Sequence, residues 1–299
     1  MELKIIEDMK ECKLLWEQFS PHESLWDEWF VVESLYDSNI HRSYFLWMED
    51  KGLLPMWYDS LKSQYRFFGG GYPDNRSLWF APDLFSDFYN GLPPATWLID
   101  ISHLSIKQLL DAYPEHADKI KQDDTSYFID FTKLGHNIDA YLSTFSSKHR
   151  KNLKYDLRKL SEAGYRVVWG NDPERIDSLI SLNKERFGSN SDLSSSEGEK
   201  EFRNLVRVLS EKDLLHTSSV YLDEEIVGVE IGVMFGNTYY LFNGGFSLNH
   251  NNVGKLMIFS HIQKAIELKA EKMDFMVGDT GWKSLWNLET SPVYSIRKD

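Results

Sequence analysis

The stretch that decides the fold runs over residues 238–286 and reads TYYLFNGGFSLNHNNVGKLMIFSHIQKAIELKAEKMDFMVGDTGWKSLW. A β-rich run from Thr238 to Phe246 ends in an Asn/Gly-rich loop, an amphipathic segment begins near Gly254, and a short strand from Met273 leads to Gly278-Asp279. This order predicts a strand, loop, helix and strand unit. The start of the helix would offer free backbone N–H groups and a positive dipole end, which favours a phosphorylated donor there.

The composition excludes several classes of protein. The chain has 299 residues, 42% of them hydrophobic, which is enough for two packed domains. Its net charge of −13 disfavours a protein that coats nucleic acid or anionic membrane. One cysteine, Cys12, permits neither an intramolecular disulfide nor a thiolate metal cluster, and no paired histidines indicate a metal site. We find no pattern of a signal peptide or membrane span and predict a cytoplasmic protein.

The two halves of the chain share a plan of helices, a β meander, a strand ending in glycines, and then a helix and another strand. In the first half, a strand from Tyr65 to Phe68 leads into Gly69-Gly70-Gly71. This glycine run either cradles an anion or forms a tight strand exit with positive φ, and the exit is the commoner use. The pattern predicts an α/β (α+β) fold with a mixed sheet and two domains.

Between the halves, residues 138–163 have apolar positions at helical spacing and predict one long helix, with Gly164 beyond its C-terminus. Six basic residues against one acid, Asp156, occupy residues 148–159 of this helix: Lys148, Arg150, Lys151, Lys154, Arg158 and Lys159. This island binds an anionic ligand or forms a solvated face, and the pattern favours neither.

The second half resembles the GNAT acyltransferases, whose pyrophosphate loop follows the pattern Gln/Arg-x-x-Gly-x-Gly/Ala. In the junction Asn251-Asn252-Val253-Gly254-Lys255-Leu256, Asn251 matches the first position and Gly254 the first glycine, and Leu256 replaces the final small residue. The resemblance implies that these residues, with Asn243 on the preceding strand, bind the donor.

The segments FSSKHRKNLKYDLRKLSEAGY (145–165), NNVGKLMIFSHIQKAIE and DFMVGDTGWKSLW are similar to the FemAB-like branch of this superfamily. That branch includes peptidoglycan aminoacyltransferases and acetyltransferase-domain proteins of cellulose or exopolysaccharide biosynthesis. It implies two tandem GNAT-like domains, which we place at residues 1–135 and 136–299, with the donor site in the second and the long basic helix at its start. It also implies acyl or aminoacyl transfer to an amine, with Lys283 at the position of a functional lysine.

Members that use aminoacyl-tRNA carry a long helical-hairpin insertion, which this sequence lacks, so the resemblance favours acyl-CoA such as acetyl-CoA as donor. The expected acceptor is a small-molecule or cell-envelope precursor amine, held with the help of Lys148, Arg150 and Lys151. An aminoacyl-tRNA-dependent transferase and a non-catalytic GNAT-like binding protein remain alternatives.

Direct acyl transfer needs oxyanion stabilisation and removal of a proton from the attacking amine. Backbone N–H groups at Asn243–Phe246 and the Lys283 ammonium are candidates for the first task, and Asp279 and Glu230 for the second. Strand alternation favours a solvated position for Glu230, whereas a buried position would raise its pKa toward that of a working base. For Trp282, core packing and stacking on the acceptor both remain open.

Overall fold

The computed structural model describes residues 2–279 and 281–299. Its strands are β1 Lys4–Ile6, β2 His41–Met48, β3 Gly52–Asp59, β4 Gln64–Phe67, β5 Trp79–Phe80, β6 Thr96–Ser102, β7 Ile120–Asp130, β8 Arg166–Gly170, β9 Leu215–Leu222, β10 Glu225–Phe235, β11 Thr238–Phe246, β12 Lys272–Val277 and β13 Glu289–Lys298. Its α-helices are α1 Met9–Phe19, α2 Trp29–Ser34, α3 Phe85–Gly91, α4 His103–Ala112, α5 Ile138–Ser143, α6 Ser147–Glu162, α7 Ile176–Phe187, α8 Ser196–Glu211 and α9 Val253–Glu267. The fold is therefore the predicted α/β fold with a mixed sheet.

The chain divides into two compact units. The first comprises the chain up to Ser126, with Val277–Asp279 and Thr290–Asp299. The second comprises Tyr127–Met276 and Thr280–Glu289. The C-terminal part of the chain thus contributes to both units, which a linear division of the sequence does not anticipate.

In the first unit the strand order is β1-β2-β3-β4-β6-β13, with β5 beside β3. Neighbouring strands are antiparallel except β4 and β6, which are parallel. Helices α3 and α4 bury Phe88, Ile106 and Leu109 against the sheet. A second cluster joins Trp16 of α1 with Phe68, whose ring centroids lie 5.9 Å apart. Aromatic side chains thus supply much of the buried area of this unit.

In the first unit, a segment of the same chain occupies the space where the parallel strands β4 and β6 part. Strands β4 and β6 pair at Tyr65 and Thr96, and the segment around Arg76 then lies beside β6. The Arg76 N–H donates to the Asp100 carbonyl at 2.8 Å, and the Arg76 carbonyl accepts from the Ser102 N–H at 2.9 Å. The Arg76 guanidinium donates to the carbonyls of Phe68 at 2.9 Å and Gly70 at 2.7 Å.

These contacts decide between the two interpretations of the glycine run. Gly69 and Gly70 have φ of 97° and 67°, where glycine is strongly favoured. The Gly70 carbonyl accepts from Arg76, and a Cβ on Gly70 would lie 2.9 Å from the Trp57 ring. The run is therefore a tight strand exit that the chain's own arginine holds.

In the second unit the strand order is β12-β11-β10-β9-β8, and β7, whose residues from Tyr127 onward belong to this unit, neighbours β12. Strand β11 is parallel to β12 and antiparallel to β10. Helix α9 covers one face, where Val253 and Met257 contact the position of Gly228. Helix α7 covers the other, with its Leu179 carbonyl close to Gly245. Helices α5 and α6 pack in the same apolar cluster as α9. The strand, loop, helix and strand unit predicted over residues 238–286 is present as β11, α9 and β12.

The prediction of one helix over residues 138–163 was wrong. Two helices, α5 and α6, are separated at Thr144–Ser146. The Ser146 hydroxyl accepts from the His149 N–H at 3.3 Å, so a serine that periodicity places inside a helix begins a new one. Gly164 follows the C-cap residue Ala163 and has φ of 91°, the positive φ expected beyond a helix end.

Candidate functional site

The parallel strands β11 and β12 part shortly after they begin. They pair only over Thr238–Tyr240 and Lys272–Asp274, although β11 continues to Phe246 and β12 to Val277. Strand β11 remains paired with β10 on its other side. We call the space beside β11 beyond this pairing the β11 opening.

Backbone groups of β11 point into this opening at alternate residues. Ser247 donates its N–H to the Val227 carbonyl of β10, at 2.9 Å. The Gly244 carbonyl points the other way and accepts from the Asn183 side chain of α7 at 2.8 Å. Because backbone groups alternate along a strand, the N–H groups of Gly244 and Phe246 face the opening. Of the predicted residues Asn243–Phe246, these two are placed to meet a substrate oxygen.

Asn183 is itself held in place. Its side chain is 6% exposed, and its Oδ1 accepts from the Ser191 hydroxyl at 2.6 Å. A fixed amide therefore binds the Gly244 carbonyl of the free edge.

Glu230 is buried, contrary to the favoured expectation of a solvated strand face. The residue is 7% exposed. It lies opposite Gly244 in the β10–β11 pair, and a Cβ on Gly244 would lie 2.9 Å from Glu230 Oε1. The absent side chain at Gly244 thus provides the space that the carboxyl group occupies. This places the carboxyl group across β11, beside the opening.

Burial raises the pKa of Glu230 to about 8, and the charge of Arg186 opposes part of that rise. Glu230 Oε2 has no hydrogen-bond partner among the described residues. The Arg186 guanidinium lies 4.1 Å from the Phe246 ring centre, and burial lowers the pKa of Arg186. A carboxyl group with a pKa near neutrality can both accept and release a proton at physiological pH.

His261 of α9 lies 3.7 Å from Glu230 Oε2. Burial lowers the pKa of His261 to about 3, so the ring is neutral and forms no ion pair with Glu230. Its two nitrogens contact the Ser218 hydroxyl at 2.8 Å and the Tyr239 hydroxyl at 2.7 Å. His261 is thus a neutral side chain, held by two hydroxyl groups, that packs beside the Glu230 carboxyl group.

The predicted donor loop forms the start of α9. Asn251 and Asn252 are exposed, and Asn252 has φ of 66°. Lys255 and Leu256 donate their N–H groups to the Asn252 carbonyl. The first-turn N–H groups of Val253 and Gly254 have no acceptor in the described part of the chain and are available to an anion, as every helix start allows.

Packing explains two residues of this loop. A Cβ on Gly254 would lie 2.5 Å from the Phe246 ring, so glycine permits the contact between the helix and the end of β11. Leu256 packs against an apolar cluster with Val253 and Met257. Its large side chain is therefore accommodated by the core, although the position matches a small residue in the family pattern.

Lys255 has a specific partner. Its ammonium donates to Asp156 Oδ2 of α6 at 2.6 Å. The single acid of the basic stretch therefore neutralises a residue of α9 rather than its own helix. Lys148 and Lys151 are exposed without an acidic partner among the described residues, and Arg150 reaches the Leu142 carbonyl at 3.5 Å.

Lys283 is buried, whereas most lysines are exposed. It is 5% exposed, and its Nζ donates to the Met276 carbonyl at 2.9 Å. The same nitrogen lies 4.9 Å from the Tyr127 ring centre. Met276 has φ of 64°, a strained value for a methionine. Lys283 is thus fixed at the end of β12.

Two other predicted residues are placed differently. Asp279 is exposed. Trp282 packs in the apolar cluster of the second unit, 6.1 Å from the Phe275 ring centre, which supports its core role. Asn243 is half-buried on β11.

Sequence patterns missed Asn183, Arg186 and His261, which surround the β11 opening and Glu230. The last lies on an apolar helix and gave no signal of its own, and the other two are among the polar residues of α7. The described residues contain no group of three or more acidic, histidine or cysteine side chains that could hold a metal ion. None of the described helices is long and apolar enough to cross a membrane.

Comparisons with known proteins agree with this architecture. Residues 147–284 match the model of the Acetyltransferase (GNAT) domain. No curated protein matches the sequence significantly.

Three solved structures share the fold along nearly the whole chain. FemX has a TM-score of 0.61 at 13% identity, covering 99% of this chain and 97% of its own. A tandem GNAT protein from the clavulanic acid biosynthesis pathway has a TM-score of 0.50 at 9% identity, covering 98% of both chains. The C-terminal domain of a putative lysylphosphatidylglycerol synthetase from Agrobacterium fabrum has a TM-score of 0.51 at 10% identity, covering 97% and 92%.

The fold is therefore that of two tandem GNAT-like domains, and residues 147–284 form a GNAT acetyltransferase domain. The match of residues 147–284 to this domain supports an N-acyltransferase.

Proposed function

We propose that the chain transfers an acyl group from acyl-CoA directly to an amine, at the β11 opening, without a covalent enzyme intermediate. The observation that carries this proposal is the buried Glu230 carboxyl group beside Gly244. It combines a proton acceptor of raised pKa with free backbone N–H groups on one strand edge. These are the two functions that amide formation from a thioester requires.

The proposed reaction starts with loss of a proton from the substrate ammonium to ionised Glu230. The neutral amine attacks the thioester carbonyl, and a C–N bond forms while the carbonyl π electrons move to oxygen. The N–H groups of Gly244 and Phe246 donate to this oxyanion. Collapse of the intermediate breaks the C–S bond, and the proton that the nitrogen loses goes to the departing thiolate. The products are an amide and coenzyme A.

The donor would lie along β11, with its phosphates at the start of α9. The free N–H groups of Val253 and Gly254 are suited to a phosphate oxygen. Asn251, Asn252, Lys255, Leu256 and Asn243 complete the proposed donor site as its loop and strand. Lys255 would act there as an ion pair with Asp156, which reduces its net charge toward the donor.

Lys283 is proposed to stabilise negative charge on the acyl oxygen or the leaving group. Its Nζ is held at the end of β12 by the Met276 carbonyl, to which it donates at 2.9 Å. Asp279 is proposed as a second proton acceptor.

We further propose membership of the FemAB-like branch, with domains at residues 1–135 and 136–299 and a cytoplasmic site of action. The acceptor would be a small-molecule or cell-envelope precursor amine, and Trp282 would support the acceptor side through the core. FemX and the lysylphosphatidylglycerol synthetase domain support this proposal through their shared fold alone.

A second candidate is transfer from aminoacyl-tRNA. The exposed, acid-free positions of Lys148 and Lys151 on α6 favour it, since a polyanion would be attracted there. A gel shift with charged tRNA whose affinity falls steeply with salt would support this donor. Binding that is weak and insensitive to salt would exclude it.

The decisive experiment measures thiol release from acetyl-CoA in the presence of amino acids, amino sugars and polyamines, with calorimetric titration of coenzyme A in parallel. We expect CoA binding and amine-dependent thiol release in the wild type, with release lost in Glu230→Gln. Binding without turnover of any amine would favour the non-catalytic alternative. Neither binding nor thermal shift would overturn the CoA donor.

A further inference from the structure

A buried histidine that the proposed reaction does not use lies beside the proposed base. His261 of α9 is fully buried, and its Nε2 lies 3.7 Å from Glu230 Oε2. Tyr239 of β11 and Ser218 of β9 contact its two ring nitrogens and are also fully buried. Four buried polar side chains of the second unit thus share one space between α9 and the sheet.

The backbone makes room for this cluster at two glycines. A Cβ on Gly232 would lie 2.0 Å from the Tyr239 hydroxyl oxygen, and a Cβ on Gly244 would lie 2.9 Å from Glu230 Oε1. The pairing of β10 with β11 also shifts register between Glu230 and Gly232. Such shifts change the direction in which a strand presents its side chains. Two glycines and one register shift therefore accommodate polar groups that an apolar core would not need.

The hydrogen bonds of the cluster determine which ring nitrogen of His261 carries the proton. Ser218 donates its hydroxyl hydrogen to the Glu230 main-chain carbonyl at 3.4 Å, so its oxygen accepts from His261 Nε2 at 2.8 Å. Burial lowers the pKa of His261 to about 3, so the ring is neutral and Nδ1 carries no proton. Nδ1 therefore accepts from the Tyr239 hydroxyl at 2.7 Å, which burial keeps protonated by raising its pKa. The Nε2–H consequently lies on the side of Glu230.

The two oxygens of the Glu230 carboxyl group have different surroundings. Oε2 is on the His261 side and has no hydrogen-bond partner among the described residues. Oε1 lies against the Gly244 position of β11, beside the β11 opening. An N–H dipole beside Oε2 favours the carboxylate form, and the rigid ring limits movement of the carboxyl group toward α9. Oε1 is thereby left to meet the substrate.

We propose that His261 positions the Glu230 carboxyl group for proton transfer, and that Tyr239 and Ser218 keep the Nε2–H of His261 directed toward it. His261 takes up no proton in this role and does not touch the substrate. At 3.7 Å its contact with Glu230 is longer than a hydrogen bond, so it acts through the ring dipole and through packing. This inference rests on the proposed function, because it assigns the cluster to the proposed base.

Charged groups on the surrounding elements also act on this pair. Arg186 of α7 opposes part of the rise that burial causes in the pKa of Glu230. Burial is the main cause of the low pKa of His261, and His216 of β9 and Lys264 of α9 lower it further. None of these three groups is changed in the variants below, so a displaced titration of Glu230 reports on His261 itself.

Titration of the Glu230 carboxyl carbon by ¹³C NMR in the full-length chain tests the proposal without turnover. His261→Phe removes the N–H dipole and should raise the midpoint by about one pH unit above that of the wild type. His261→Gln retains an N–H donor and should return the midpoint to within about 0.3 unit. His116→Phe, at a buried histidine of the first unit, is the matched control and should leave the midpoint unchanged.

The pH profile of amine-dependent thiol release gives a second readout. In His261→Phe, kcat/KM at pH 7 should fall about tenfold, with the profile displaced toward higher pH and CoA affinity unchanged. Tyr239→Phe removes only the donor to Nδ1 and should displace the profile in the same direction by a smaller amount. It should have no further effect in the His261→Phe protein, because the two residues act through one contact. A purely structural cluster would lower stability without displacing the profile.

The position of the ring proton is measured directly by ¹⁵N NMR of protein labelled at histidine. We expect a proton on Nε2 of His261 and none on Nδ1. The opposite tautomer in the wild type overturns the inference, and this measurement does not require that His261→Phe folds.

Equal midpoints in the wild type and His261→Phe, or equal effects of His261→Phe and His116→Phe, also overturn the inference. Thiol release that persists with an amine under either outcome leaves the proposed function standing without the positioning role. A displaced Glu230 titration in a protein that transfers no acyl group would instead support the contact and reject the proposed function.

Discussion

The two units each contain a parallel pair of strands that part, and they use the resulting space in opposite ways. In the first unit, β4 and β6 separate after Tyr65 and Thr96, and Arg76 fills the space with backbone and side-chain hydrogen bonds. In the second unit, β11 and β12 separate after Tyr240 and Asp274, and Asn183 covers only one carbonyl of the free edge. The same local arrangement can therefore serve structure in one unit and a substrate in the other.

The charged side chains at these two spaces, Arg76 and Glu230, also differ in their hydrogen bonding. Arg76 donates to three carbonyls, of Phe68, Gly70 and Pro73, so all three guanidinium nitrogens are bound within the fold. Glu230 is buried with an oxygen that has no hydrogen-bond partner among the described residues. A buried polar atom left without a partner costs stability and is a common sign of function.

The largest expected effect is on turnover in Glu230→Gln. Removal of the proton acceptor should lower kcat about 10²- to 10⁴-fold while CoA binding is retained. In the wild type, kcat/KM should rise with pH through about 8, because the carboxylate form is the active one. An unchanged rate and pH profile in the variant would remove Glu230 from the reaction.

The same variant should change the dependence of stability on pH. The folded-state pKa of Glu230, about 8, lies above the ordinary glutamate pKa of 4.5, so its favourable contribution to stability is fully present below pH 4.5 and is lost as pH rises through 8. Relative to Glu230→Gln, the wild type should lose up to roughly 5 kcal/mol of unfolding free energy over this window. Denaturant unfolding at intervals between pH 4.5 and 9 measures it, and parallel curves would contradict the assigned burial.

Arg76→Met tests whether the filled space of the first unit is structural. Three carbonyls lose their charged donor, and the Asp100 carboxyl, whose pKa burial already raises to about 6, loses a neighbouring positive charge. We expect a loss of about 3 to 5 kcal/mol in unfolding free energy. Arg42→Met, at an exposed position of β2, should change it by less than about 0.5 kcal/mol. Equal effects of the two substitutions would refute the structural role.

Lys283→Met should lower kcat roughly 10- to 100-fold with a nearly unchanged KM for the donor, because the methionine largely preserves the buried volume while it removes the charge and the hydrogen bond to the Met276 carbonyl. Steady-state kinetics and CoA calorimetry separate the two quantities. A raised KM with unchanged kcat would show that Lys283 binds substrate without stabilising the transition state.

The smallest effects should come from paired glycine substitutions. Gly244→Ala places a Cβ 2.9 Å from Glu230 Oε1 and should lower kcat about tenfold by displacing the carboxyl group. Gly70→Ala, at φ of 67° and close to Trp57, should lower stability by about 1 to 2 kcal/mol without a comparable loss of kcat. If Gly244→Ala lowered only stability and Gly70→Ala lowered kcat, the assignment of a functional space to the second unit and a structural one to the first would be wrong.

Periodicity and glycine placement correctly predicted β11, α9 and β12, the mixed α/β fold and the conformation of Gly164. They failed at Ser146, because a serine between apolar positions is compatible with both a helix interior and a helix start. They also placed Glu230 in solvent, because alternation along one strand does not reveal what covers its face. Only the packed structure showed that Trp282 and Leu256 contribute to apolar clusters.

The sequence by itself determined where most strands and helices form, because this depends on neighbours along the chain, and it predicted a loop for a phosphorylated donor. Only the tertiary structure decided which of two similar spaces is filled, which carboxyl group is buried, and which lysine is paired. Those outcomes depend on distant residues, such as Gly244 beside Glu230 and Asp156 beside Lys255. Desolvation and ion pairing act through space, so the chemistry of the β11 opening emerges only when the chain is folded.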